Sequence, residues 1–156
     1  MRLLFKQRFF SWFDSYDIYN DSLETQYVVK GKLSFGHILE VYDSTGYHIA
    51  TLKEKIFNFL PKFEIYINNV LVGEITKKLT FFKPSFTLNC NDWQVEGDFF
   101  EWDYQIISNG YKIAIIQKQL FNFTDTYTID VFDDKDALIT LMIVLAIDAV
   151  KCSQSN

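Results

Sequence analysis

The residue types most often used for chemistry are few in this chain, and their spacing serves little of it. Cys90 and Cys152 form no CxxC pair, and His37 and His48 sit eleven positions apart, so no zinc-ligand spacing exists. The same two cysteines give no basis for a disulfide framework. His37 follows Gly36 and His48 follows Tyr47, which makes both read as strand residues flanking turns, and no nucleophile motif accompanies either. GxSxG, Walker A and GxGxxG patterns are all missing from the sequence. Glu96, Asp98, Glu101 and Asp103 could hold calcium or act as paired carboxylates, yet their alternation fits the polar face of strands. Cys90 falls on the inward period set by Phe86 and Leu88 and reads as a small buried hydrophobe. The expectation is therefore a non-catalytic protein with no cofactor and no bound metal.

Basic residues offer a different chemistry, the holding of an anion. Lys6, Arg8, Lys53, Lys55, Lys77, Lys78 and Lys118 all lie at or just before four similar aromatic segments, so a repeated fold would collect them near one end. Residues 1–83 carry eleven basic and nine acidic side chains (+2), and residues 84–156 carry four and eleven (-7). Basic groups near an anionic leaflet contribute about 1 kcal/mol each, so several converging lysines would give weak, reversible attachment. The competing reading is that they are solvated strand residues that blunt edge-to-edge aggregation.

Composition bounds the class. The chain has 156 residues, 49% hydrophobic and 18% aromatic, with six Gly and two Pro, which excludes disordered and collagen-like classes and makes one domain over 1–156 the natural prior. A net charge of -5 argues against nucleic-acid binding, so Trp12, Trp93 and Trp102 are expected in packing rather than in base stacking. The opening MRLLFKQRFFSWFD is interrupted by Arg2, Lys6 and Arg8 and does not read as a secretory signal. A cytoplasmic location is the expectation, with peripheral attachment at the inner membrane surface if the lysines do converge.

Four segments align without gaps over eleven positions: RFFSWFDSYDI from Arg8, KIFNFLPKFEI from Lys55, KLTFFKPSFTL from Lys78 and QLFNFTDTYTI from Gln119. Position five is aromatic (Trp12, Phe59, Phe82, Phe123) and position seven is Asp14, Pro61, Pro84 or Asp125, which is turn chemistry. Each copy reads as a strand end, a corner and a new strand. After the corner, Phe63, Ile65 and Ile67, like Tyr127, Ile129 and Val131, alternate with their neighbours and should face a core. Val29-Lys30-Gly31 corresponds to Val95-Glu96-Gly97, and Gly46–Ala50 to Gly110–Ala114, so the chain reads as two halves, about 3–68 and 70–132. Ser44-Thr45-Gly46, Asn68-Asn69 and Ser108-Asn109-Gly110 are expected hairpin turns. Twelve strands follow, near 3–12, 15–20, 25–34, 37–43, 47–58, 62–68, 70–82, 85–90, 92–99, 102–108, 111–122 and 125–132.

A mainly β, antiparallel sheet of twelve strands would leave two adhesive edges, so closure into a barrel is the expected resolution. Such a barrel is too wide for strand side chains alone to fill. Residues 136–151 supply the filler, a hydrophobic C-terminal helix with Leu138, Leu141, Met142 and Leu145 in its core-facing set and no polar face. Spanning a membrane would need roughly 30 Å, and Ala137–Val150 offers only about 21 Å with Asp148 inside it. No transmembrane segment is expected. Asp133, Asp134 and Asp136 favour a helix start and Lys151 the opposite end, and Asp148 is expected where the helix emerges into water.

The aromatic corners, Val29-Lys30-Gly31, Phe81-Phe82-Lys83-Pro84, Val95-Glu96-Gly97-Asp98-Phe99 and the ending Ile143–Val150 together resemble the LURP-one-related family over nearly the whole chain. That family is similar to the tubby carboxy-terminal domain and the phospholipid scramblases, which implies a barrel around a central hydrophobic helix. Tubby domains bind phosphoinositide headgroups, so the resemblance implies a binding or regulatory module that docks on phosphoinositide, on other anionic lipid or on a protein partner. This chain is much shorter than tubby, and no tubby lipid-contact residue carries over to it. The alternatives are a small-ligand carrier or enzyme with a pocket at the barrel mouth, and a scramblase-like lipid-associated protein.

Overall fold

In a computed structural model, the described residues are 1–6, 15–32, 34–78, 85–89, 91–99, 101–119 and 126–154. Twelve antiparallel strands follow one another around a ring: β1 (Arg2–Lys6), β2 (Ser15–Asn20), β3 (Thr25–Lys32), β4 (Ile38–Asp43), β5 (His48–Glu54), β6 (Lys62–Ile67), β7 (Val70–Lys78), β8 (Ser85–Leu88), β9 (Trp93–Asp98), β10 (Asp103–Ser108), β11 (Tyr111–Gln119) and β12 (Thr126–Val131). Each strand pairs with its neighbours in sequence, and β1 pairs with β12, with Leu3 opposite Ile129 and Phe5 opposite Tyr127. The barrel is therefore closed and, in its described strands, has no free edge.

The strands form where the period-two pattern lies. In β6, Phe63 and Ile65 are buried while Lys62, Glu64 and Tyr66 are not, and β4, β8 and β10 repeat the alternation. The expected hairpin turns are present: Asn68 and Asn69, like Asn109 and Gly110, take the paired positive φ that two-residue hairpins require, and Gly46 takes positive φ as the last residue of the three-residue loop between Asp43 and Tyr47. Gly97 in β9 is needed for closeness rather than for a turn alone. A Cβ there would come within 2.5 Å of the Asp103 carbonyl oxygen and 2.6 Å of the Tyr104 Cα.

Two expected boundaries differ from the fold. The strand expected over 47–58 ends at Glu54, and the chain turns at Ile56–Phe57 before β6. Alternating Phe57, Asn58 and Phe59 imitate a strand, but Pro61 lacks the N–H that continued pairing would need. The helix begins with a 3-10 turn, Asp134–Asp136, capped by Asp133, whose carboxylate accepts from the Lys135 N–H. It continues as α1 (Ala137–Gln154), about 27 Å long at ~1.5 Å per residue. The expected strand stretches 7–12, 79–82 and 120–122, with Arg8, Trp12, Asp14, Phe82, Pro84, Cys90, Phe123 and Asp125, lie outside the described residues. So does the side chain of Cys152.

Helix α1 fills the ring. Every residue from Thr140 to Val150 is buried, so all faces of three turns are covered, and they form one core with inward side chains from all twelve strands. Leu141, Met142 and Leu145 have no exposed surface, and Leu138 and Ile139 are partly buried against the same core. An all-apolar helix is stable in water only under such enclosure. No described helix is long and apolar enough to cross a membrane.

Candidate functional site

Consecutive antiparallel strands put alternate connections at opposite ends of a barrel. The connections after β1, β3, β5, β7, β9 and β11 share one end, here the corner rim. The other connections, with the start of α1, share the opposite end, the hairpin rim. Charge is uneven between the two ends, though each carries both signs. Lys6, Lys53, Lys55, Lys77, Lys78 and Lys118 all stand at strand ends on the corner rim, joined by Lys32 and Lys62. Asp21, Glu24, Asp43, Asp92, Asp133 and Asp134 stand on the hairpin rim with Arg2, Lys112 and Lys135, while Glu54, Asp98, Glu101 and Asp103 stand among the lysines of the corner rim.

The lysines of the corner rim differ in how far they are neutralised. Lys55 reaches Glu64 at 2.9 Å and Glu74 at 3.4 Å, and Lys62 reaches Glu74 at 2.6 Å, a network on the outer wall of β5 to β7. The Lys55 ammonium holds the Glu64 carboxyl below its ordinary pKa, and Lys62 does the same to Glu74. Lys32 is paired with Glu40. Lys53 and Lys78 are exposed, Lys77 is half-buried on the inward phase opposite Phe86, and Lys118 is exposed opposite Tyr127. Of the expected patch, the strand ends thus bring six positions to one rim, while Arg8 lies outside the described residues.

Sequence reasoning missed the aromatic tips of that rim. Phe35 is 93% exposed, Phe57 97% and Phe59 94%. They sit in two connections that touch each other. A Cβ on Gly36 would fall 2.5 Å from the Ile56 side chain, the Glu54 N–H donates to the His37 carbonyl at 2.8 Å, and the His37 N–H donates to the Glu54 carboxylate at 3.0 Å. The His37 ring also meets that carboxylate. His37 is thus a clamp between the β3–β4 and β5–β6 connections. His48 contacts the Thr51 hydroxyl at 2.8 Å and the edge of Tyr42, as a strand residue would.

Beneath the rim lies the buried end of α1. Asp148 is 1% exposed, which corrects the expectation that the helix emerges into water there, because the helix runs six residues further, to Gln154. Among the described residues neither carboxylate oxygen of Asp148 has a hydrogen-bond partner, and the Tyr104 hydroxyl and Trp102 Nε1 are likewise buried and unbonded. Burial drives the Asp148 pKa up to about 7, with Lys151 opposing the rise. Burial, together with the facing Asp148, pushes the Tyr104 hydroxyl far above its ordinary value. The cover is aromatic: Trp102 stacks on Tyr127 at 3.9 Å and on Phe5 at 5.8 Å, and the Lys151 ammonium lies 5.4 Å from the Trp102 ring centre. Trp93 and Trp102 are core residues, as packing requires.

The acidic run lies at the β9–β10 corner, on the same rim as the lysines. Glu96, Asp98 and Asp103 are exposed on β9 and β10, Asp98 lies opposite Asp103, and Glu101 sits in the turn with its N–H donating to Asp98 at 3.2 Å. Among the described residues no group of His, Cys, Asp and Glu could hold a metal ion. A shallow groove of about 420 Å3 on the outside of β9 to β11 is lined by Glu96, Asp103, Gln105, Lys112 and Gln117, with no His, Cys or Ser in its lining.

Fold and site together define a class: a closed barrel of twelve antiparallel strands filled by its own C-terminal helix, with an excess of lysines among the described residues of one rim and of carboxylates at the other. The chain belongs to the LURP-one-related family, which it matches over residues 1–148. It is similar to the uncharacterized protein YxjI of Bacillus subtilis (strain 168), 30% identical over 151 residues that cover 96% of this chain and 93% of that protein. No solved structure matches the chain at a significant level.

Proposed function

We propose that this chain is a non-catalytic binding module that docks reversibly, corner rim first, on an anionic membrane surface. The observation that carries the reading is the uneven distribution of charge, with lysines outnumbering carboxylates at the described strand ends of the corner rim and carboxylates outnumbering basic groups at those of the hairpin rim. A molecule charged in this way orients in the field of an anionic leaflet before it touches it, with the acidic rim turned outward. Each lysine near the surface contributes about 1 kcal/mol, so the attachment is weak singly, cumulative over the rim and sensitive to salt. A cytoplasmic, membrane-peripheral location follows from this reading.

Co-sedimentation with vesicles tests it. Binding to phosphatidylcholine vesicles containing phosphatidylserine or a phosphoinositide is expected at low salt, with little on phosphatidylcholine alone. Lys53→Glu with Lys78→Glu should weaken it roughly tenfold or more, since each reversal removes one attraction and adds one repulsion. Both positions are exposed, so the fold should be unaffected. Absence of binding at low salt overturns the lipid reading.

A further inference from the structure

Phe35, Phe57 and Phe59 are each more than nine-tenths exposed, a state that large aromatic side chains in water gain nothing from. Scattered apolar residues on a surface need no explanation, but these three share one rim and two adjoining connections. The connections are braced against each other through Gly36 and Ile56, and through three contacts between His37 and Glu54. The rings are therefore held out by a supported platform. Ile56 is also exposed beside them. Lys53, exposed near the end of β5, places a cation beside the apolar tips, while Lys55 and Lys62, which bracket them in the chain, are paired with Glu64 and Glu74.

Such a pairing, exposed rings in the connections beyond the strand ends and exposed ammonium groups at the strand ends behind them, matches the two layers of an anionic bilayer surface. Phenyl rings belong at the acyl boundary and lysines at the phosphates. From this geometry we infer that Phe35, Phe57 and Phe59 are a membrane-penetrating tip, which enters the interface while exposed lysines of the rim such as Lys53 and Lys78 engage the headgroups. The inference rests on the docking reading above and deepens it: the partner is the intact bilayer interface of an anionic leaflet, not a free headgroup in solution. Electrostatic contact alone would be erased by salt, whereas ring burial persists because it depends on apolar area.

The test uses the whole protein in three forms: parent, Phe57→Trp, and the triple variant Phe35→Ala, Phe57→Ala, Phe59→Ala. All three positions are exposed, and unchanged thermal melting checks that the fold is intact. With phosphatidylcholine/phosphatidylserine vesicles, the difference emission spectrum between Phe57→Trp and parent should shift to the blue and be quenched by lipids brominated near the headgroup end of their chains. The triple variant should bind about tenfold more weakly for each ring removed, and the loss should be most visible at high salt, where the lysine contribution is screened. If the parent binds but the difference spectrum of the Phe57→Trp variant neither shifts nor is quenched, the penetrating tip is wrong and surface docking survives. If the parent does not bind vesicles, the docking reading fails and the tip fails with it. Binding of inositol phosphate in solution as tightly as of vesicles would also overturn the tip.

Discussion

Asp148 is the residue whose environment departs furthest from what its chemistry prefers. Its carboxyl is neutral at moderately acidic pH in the folded chain, with a pKa of about 7 against an ordinary 3.8. Between those values the folded state holds a proton that the unfolded chain has released, so stability falls as pH rises from about 4 to about 7 and then levels off. The total is on the order of 4 kcal/mol at ~1.36 kcal/mol per pH unit. Glu64 and Glu74 contribute in the opposite sense, and only at the acid end, because their lysine partners hold them below 4.5. Asp148→Asn keeps the shape and removes the titration. Urea unfolding at a series of pH values should show the variant more stable than the parent at about pH 8, with the difference shrinking as pH falls. Equal stability of the two proteins at both ends of that range would refute the assignment. The sequence showed one charge in an apolar run but not its depth, and its place eight residues from the end of the sequence pointed to emergence rather than burial.

At the scale of elements, strands and helix read differently from the sequence. Strands were legible because each inward side chain meets the core at every second position and the turns carry Asn or Gly where φ is positive. The exception was Ile56–Phe59, where an alternating apolar run forms a projecting tip; pattern records alternation, and only the proline two residues on marks departure from the sheet. The lysine positions were legible one by one, and their meeting on one rim required the meander topology. The helix was legible because nothing except enclosure stabilises an all-round apolar rod. Leu141 and Leu138 separate packing from propensity. Leu141→Ala, at a position with no exposed surface, should cost about 2–5 kcal/mol by denaturant unfolding, and Leu138→Ala, half-buried near the helix start, clearly less. Equal losses would argue against a helix gripped on every side beyond its first turn.

The molecule as a whole is a single ring around a single core, and neither survives alone. Stripped of α1, the inward faces of twelve strands would lose the side chains they pack on, and α1 without the ring would expose an apolar rod. Unfolding should therefore be all-or-none. The far-ultraviolet circular dichroism transition, which follows sheet and helix, and the tryptophan fluorescence transition, which follows buried Trp93 and Trp102, should coincide in urea. Separated midpoints would show that rod and ring part company before either melts.

Closure through β1 and β12 also dictates an order of events during synthesis. The first strand made has to wait for the twelfth, and the rod that occupies the lumen is made later still. The native pairing cannot be completed before β12 has emerged from the ribosome, and the inward apolar faces of all twelve strands stay unfilled until α1, which runs to Gln154, has followed.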